Sequence, residues 1–247
     1  MAGFKAHFSF AAVTGGVGAT ALLSAGVIDT NSMLFCFSAA ILGGLLPDID
    51  SDTSTPLQVS FTLFALIFSF LVMFSQAATL STLELLIIWL GAFLFFKLII
   101  FELFTRLTVH RGIFHSIPAA FLSLFLTTLF LRQLFHLDNQ TAWIVGSFVL
   151  IGFISHLLLD ELASLNFLGL GGVKHSFGTA LKFYSPSFVA TFSLYLALAF
   201  FYLLAPSSDG LVDQLLSTQF WYTLADGLLP TGGWFRIKLS LWSWWNL

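Results

Sequence analysis

Seven apolar runs of roughly 16 to 24 residues follow one another along this chain, and about 20 such residues carry a helix across a bilayer. They lie at about 6–25, 31–46, 57–79, 82–104, 116–135, 142–160 and 187–205. In hydrocarbon each backbone amide and carbonyl must find its partner inside the protein, which leaves helices as the economical way to span. Charged residues make up 9% of the 247, where a soluble domain carries about 25%. Mean hydropathy is +0.96, so lipid solvates this chain better than water does. The expected fold is an all-α, polytopic integral membrane helix bundle with about seven transmembrane helices, of the inner-membrane type. It is expected as one membrane domain over 1–206, followed by a Trp-rich interfacial tail over 207–247. Within that tail 211–229 is a candidate eighth span, and Trp221, Trp234, Trp242, Trp244 and Trp245 favour the membrane interface.

Several function classes drop out. The net charge of -3, with no basic stripe, gives no reason to expect a nucleic-acid partner. Cys36 is the single cysteine, which excludes an internal disulfide and a thiolate metal cage, and its apolar surroundings make it a small hydrophobe. The N-terminal run has a hardly basic start and is interrupted by His7 and several glycines, so an uncleaved first helix is expected rather than a signal peptide. Nothing in the sequence sets an oligomeric state. In a seven-span arrangement Lys5, Arg106, Arg111, Lys174 and Lys182 fall on one side, against Arg132, Arg236 and Lys238 on the other. That bias places the N-terminus in the cytoplasm. Independently of that bias, the seven-span arrangement puts the N-terminus and the loops at 47–56, 105–115 and 161–186 on one face.

Polar residues crowd that face. Pro47-Asp48-Ile49-Asp50-Ser51-Asp52 closes the second run, and if Pro47 keeps the segment extended its alternate carboxylates point the same way, offering oxygen ligands to zinc or a harder cation. An acidic loop that solvates a helix end is the plainer alternative. His110-Arg111-Gly112-Ile113-Phe114-His115-Ser116 precedes the fifth run. His110 and His115 diverge by about 140° on a regular helix, Gly112 allows a turn, Ser116 can cap the next helix and Pro118 suits its first turn. A cationic membrane anchor with incidental histidines would explain the same residues. His156 and Asp160 close the sixth run at i, i+4, on one side of a helix, where they form either a metal site or a mutually satisfied pair. His7 begins the first run; alone it would read as interfacial. His7, Asp48, Asp50, Asp52, His110, His115, His156 and Asp160 thus converge near one membrane surface from four segments. His136 and Asp138 read as loop residues of the opposite face, Lys97 as a snorkelling lysine, and Glu102 and His175 as weaker candidates.

An early histidine, the Leu46-Pro47-Asp48-Ile49-Asp50 segment, the His110–Ser116 heptapeptide and Ser155-His156 followed by Asp160 together resemble the bacterial membrane-bound metal-dependent hydrolases of the YdjM type. The resemblance covers roughly residues 1–175. Phe114 departs from it, since the family usually has threonine there. The family is grouped with zinc-dependent phospholipases C and zinc nucleases, which implies phosphoester hydrolysis with one or more divalent ions, zinc first among them. The implied ligands are Asp48, Asp50, His110, His115, His156, Asp160 and His7. Arg111 would clamp a phosphate with its planar fork, and Asp52 would serve as general base or as an outer partner of the ligands. A site at headgroup depth points to membrane lipids, or another phosphoester, as substrate. Two rivals stay open: a metal-ion transporter, and a non-catalytic membrane protein stapled by a metal.

Overall fold

The computed structural model describes residues 3–50, 55–77, 79–100, 115–164 and 181–228, with the side chains of 49–50, 55–61 and 63–64 left aside. The described residues are helical, with no strand among them. In chain order they form α1 (Phe4–Ser24), α2 (Thr30–Leu45), a 3-10 turn at Pro47–Asp50, and α3 (Thr55–Ser75). Next come α4 (Thr82–Leu94), extended by a π turn at Phe95–Ile100, α5 (Ile117–Leu134) and α6 (Asn139–Ser164). The chain continues with α7 (Phe188–Leu204), α8 (Asp209–Leu216) and α9 (Thr218–Leu228).

A helix stands at each of the seven apolar runs. By length and composition α1, α4 with its π turn, α5 and α6 are able to cross a bilayer unaided, and α7 with α8 makes a fifth if that pair, bent by 92°, counts as one span. At 16 residues α2 rises about 24 Å, short of a hydrocarbon core of about 30 Å. Residues 211–229, the candidate eighth span, fall largely on α8 and α9, which are 8 and 11 residues long and separated at Ser217.

The bundle is organised around α6, which packs against α2, α5 and α1. Lipid tails are as apolar as leucine, so helices in a membrane associate through close packing of small residues rather than by hiding apolar surface. The α2–α6 seam follows that rule. A methyl group on Gly43 would run into the Val149 carbonyl, and one on Gly152 into the Ala40 carbonyl. On α1, Ala11 lies against Gly44 and Gly15 against Ala40. Ser155 Oγ also donates to Thr14 Oγ1 at 3.2 Å, tying α6 to α1. By contrast α4 buries none of its residues and α7 buries Leu194 alone, as expected of helices that face lipid. The Phe68 ring meets that of Phe96, and Phe70 that of Trp89, in tilted contacts where α3 meets α4.

The N-cap expected at Ser116 is present, and Asp138, read from the chain as a loop residue, supplies a second. The Ser116 hydroxyl accepts from the Ala119 amide at 3.4 Å with Pro118 in the first turn, and Asp138 accepts from the Thr141 amide at 2.9 Å. The expectation of an extended 47–52 segment is overturned for residues 47–50, and 51–52 lie outside the described residues. Pro47 starts a helical turn instead, which its fixed φ permits because the first amides of a helix have no partner to lose. Alternate residues do not share a side in such a turn.

Candidate metal centre

Four chain segments deliver five chemically active side chains to one end of the bundle. His7 comes from the first turn of α1, Asp48 from the 3-10 turn after α2, and His115 from the residue before the Ser116 cap of α5. His156 and Asp160 lie one turn apart near the end of α6. The short α2 lets its terminal acidic turn approach the cluster, while the 26-residue α6, about 39 Å long, carries His156 and Asp160 toward the surface.

The contacts are close. His7 Nε2 lies 3.2 Å from Asp160 Oδ1, and His115 Nε2 lies 3.6 Å from Asp160 Oδ2. His156 Nε2 is 3.5 Å from Asp48 Oδ1 and 3.8 Å from Asp160 Oδ2. The His7 and His156 rings stack with centroids 3.6 Å apart, and the His115 ring meets that of His156 edge-on. His7, His156 and Asp160 are buried at 1%, 1% and 5% exposure, so the cluster meets solvent mainly at Asp48 and His115, whose side chains are 29% and 13% exposed.

One hydrogen bond sets the chemistry of His156. Its Nδ1 lies 2.7 Å from the Gly44 carbonyl oxygen, which can only accept, so Nδ1 carries the proton and Nε2 presents a lone pair toward the two carboxylates. The Nε2 atoms of His7, His115 and His156 are all buried without a hydrogen-bond partner among the described residues. Buried imidazole nitrogens are rarely left so, because the missing bond costs about 1–3 kcal/mol each. Burial pushes the Asp48 carboxyl above its ordinary range, a push that His7 and His115 oppose and Asp160 adds to. A cation among these groups would satisfy the nitrogens and the carboxylates together.

The spacing suits such an ion. Zinc ligands at about 2.0–2.1 Å in a tetrahedron lie about 3.3–3.4 Å from one another. The four nitrogen–oxygen separations here run from 3.2 to 3.8 Å. Two triads, His7 with His156 and Asp160, and Asp48 with His115 and His156, each gather donor atoms within 4.8 Å.

The sequence itself matches a known family. The sequence profile of the YdjM inner membrane protein family matches residues 1–222. The chain belongs to that family. It is accordingly an inner-membrane protein with several membrane-spanning helices, and the five clustered residues lie within the part of this YdjM-family chain that the profile matches. No curated protein and no solved structure matches the chain.

Of the residues singled out in the sequence, His7, Asp48, His115, His156 and Asp160 come together. His110, Arg111, Asp52, Phe114, Glu102 and His175 lie outside the described residues, as does the side chain of Asp50. His136 and Asp138 stand at the other end of the bundle, before α6. Lys97 sits in the π turn with its ammonium 5.6 Å from the Phe93 ring centroid. Sequence reasoning missed Gly44. A backbone carbonyl leaves no mark of its own in a sequence, although the small pair Gly43-Gly44, so close to Pro47, hints at a tight helix contact.

Proposed function

We propose that this YdjM-family protein is an integral membrane metal-dependent hydrolase that cleaves a phosphoester, with a phospholipid as the favoured substrate class, at the cytoplasmic surface of the inner membrane. The observation that carries the reading is the trio of buried imidazole nitrogens without hydrogen-bond partners among the described residues, gathered around Asp160 and Asp48. His7, Asp48, His115, His156 and Asp160 would hold the metal, zinc being the best match to mixed imidazole and carboxylate donors. His110 and Asp50 would join them from the flanking motifs. A divalent ion, when bound, lowers the pKa of water toward 7 and polarises a phosphoryl oxygen.

The chain's own groups supply the rest. The Gly44 carbonyl fixes the His156 ring and its tautomer. The buried flank of His7 and Asp160 excludes bulk water, so substrate enters at the edge marked by Asp48 and His115. Arg111 would hold the phosphate through two parallel hydrogen bonds, and Asp52 would accept a proton. The cluster sits at one end of helices whose other buried polar groups, among the described residues, are uncharged hydroxyls such as those of Thr128 and Ser69. That favours chemistry at headgroup depth over a transport path, which needs polar groups through the bilayer.

The test uses detergent-purified full-length protein, zinc analysis, and a panel of phosphoesters and phospholipids. His156→Ala and Asp160→Ala are expected to lose both zinc and turnover, while Arg132→Ala at the other end of the bundle keeps both. Unchanged zinc content in the two site variants would refute the site. Zinc bound in the wild type with no turnover across the panel would favour the non-catalytic alternatives.

A further inference from the structure

We infer that the centre takes two divalent ions, with the Asp160 carboxylate between them; the inference rests on the metal-binding reading above. An imidazole binds a metal through a lone pair that lies in the plane of its ring. The His7 and His156 rings are stacked, their centroids 3.6 Å apart and their planes within 13° of parallel. Their Nε2 lone pairs therefore lie in two separate, nearly parallel sheets. A single ion at about 2.0–2.1 Å from both nitrogens would sit far out of at least one ring plane. Two ions at the spacing of two-metal hydrolytic centres, about 3.5–4 Å, fit one in each sheet.

Asp160 is placed to join them. Its Oδ1 faces His7 Nε2 at 3.2 Å, while Oδ2 faces His115 at 3.6 Å and His156 at 3.8 Å. A carboxylate whose two oxygens address different imidazoles is arranged to give one oxygen to each ion. His156 cannot be the bridge, because its Nδ1 is bonded to the Gly44 carbonyl and only Nε2 remains. The inner position then draws on His7 and Asp160 Oδ1. The outer one draws on Asp48, His115, His156 and Asp160 Oδ2, on the side where the cluster meets solvent.

The experiment measures ions rather than turnover. Full-length protein in detergent is stripped of metal, reloaded with Zn²⁺, dialysed and analysed for zinc per chain. Wild type is expected to keep two, and His7→Ala one, with circular dichroism confirming that the variant is folded. In parallel, Mn²⁺-loaded wild type is examined by electron paramagnetic resonance, where a bridged pair gives an exchange-coupled spectrum and isolated ions give their uncoupled hyperfine pattern. If His7→Ala does not fold, the wild-type spectrum decides. One zinc per chain, or an uncoupled spectrum at two, overturns the bridged pair and leaves the metal-binding reading standing. No retained zinc overturns both.

Discussion

Replacing Gly152 by alanine tests whether the packing of α2 on α6 controls the metal centre. The new methyl would overlap the Ala40 carbonyl, a backbone atom that cannot swing aside. Relieving the overlap requires the two helices to part by about 1 Å, and overpacking of this kind costs about 1–3 kcal/mol. Gly152 lies one turn before His156 on the same side of α6, so the gap reaches the bond between His156 Nδ1 and the Gly44 carbonyl. That bond is 2.7 Å long. Stretched to about 3.7 Å, it would cease to be a hydrogen bond. Losing such a support for a ligating histidine typically weakens metal affinity 10–100-fold. For a chain of this size, 1–3 kcal/mol corresponds to a fall of about 2–12 °C in Tm. Gly91→Ala is the matched control: α4 is open around Gly91, and alanine gains about 0.5–1 kcal/mol over glycine inside a helix. Thermal melting in detergent and competitive zinc titration read both variants. If Gly152→Ala melts with Gly91→Ala and binds zinc as tightly as wild type, the seam does not position His156 and the reasoning fails.

Three further outcomes are expected. Asp138→Ala removes the N-cap of α6 and should cost about 1 kcal/mol near pH 7. Against the upward push of partial burial, hydrogen bonds from Thr141 hold the Asp138 carboxyl below its ordinary range, so this stability is full above the unfolded pKa of about 4 and fades as pH falls through the lower folded value. Wild type and variant should therefore converge in acid, and chemical denaturation at several pH values checks it. Chelation should lower the Tm of wild type but not of His156→Ala, since zinc at 100 times its Kd stabilises the folded state by about 2.7 kcal/mol; equal shifts in both would count against the site. Phe114→Thr should keep the wild-type zinc content, because neither residue supplies a strong ligand, and a changed stoichiometry by elemental analysis would contradict that.

Much of this was legible in the sequence, for reasons that are local. Helix period alone puts His156 and Asp160 on one side of α6, and Ser116 followed by Pro118 announces a helix start. Apolar run length locates the helices, although α2, at 16 residues, shows that a run and an unaided span are different things. The unreadable part is what depends on helices meeting. No residue pattern announces that the Gly44 carbonyl holds His156, or that His7 stacks on the same ring from α1. The acidic segment misled for a related reason. Proline suits an extended strand and the first turn of a helix alike, and the 3-10 turn at Pro47 takes the second course.

The short helices α8 and α9 sit at the far end of the two helices that carry most of the cluster. Trp143 Nε1 of α6 donates to the Pro206 carbonyl, Gln140 of α6 pairs with Gln214 of α8, and Gly227 of α9 rests against Ser24 at the end of α1. Mechanically this is a clasp on one end of a pair of stiff rods whose other ends bear His7 and His156. A rod of 21 residues is about 32 Å long, so each degree of splay at the clasp moves the opposite tip by about 0.5 Å, more than the tolerance of about 0.2 Å on a metal–ligand bond. The spacing of His7 and His156 is thus leveraged from the far end of the bundle, and trimming residues 207–228 would loosen a cluster they never touch.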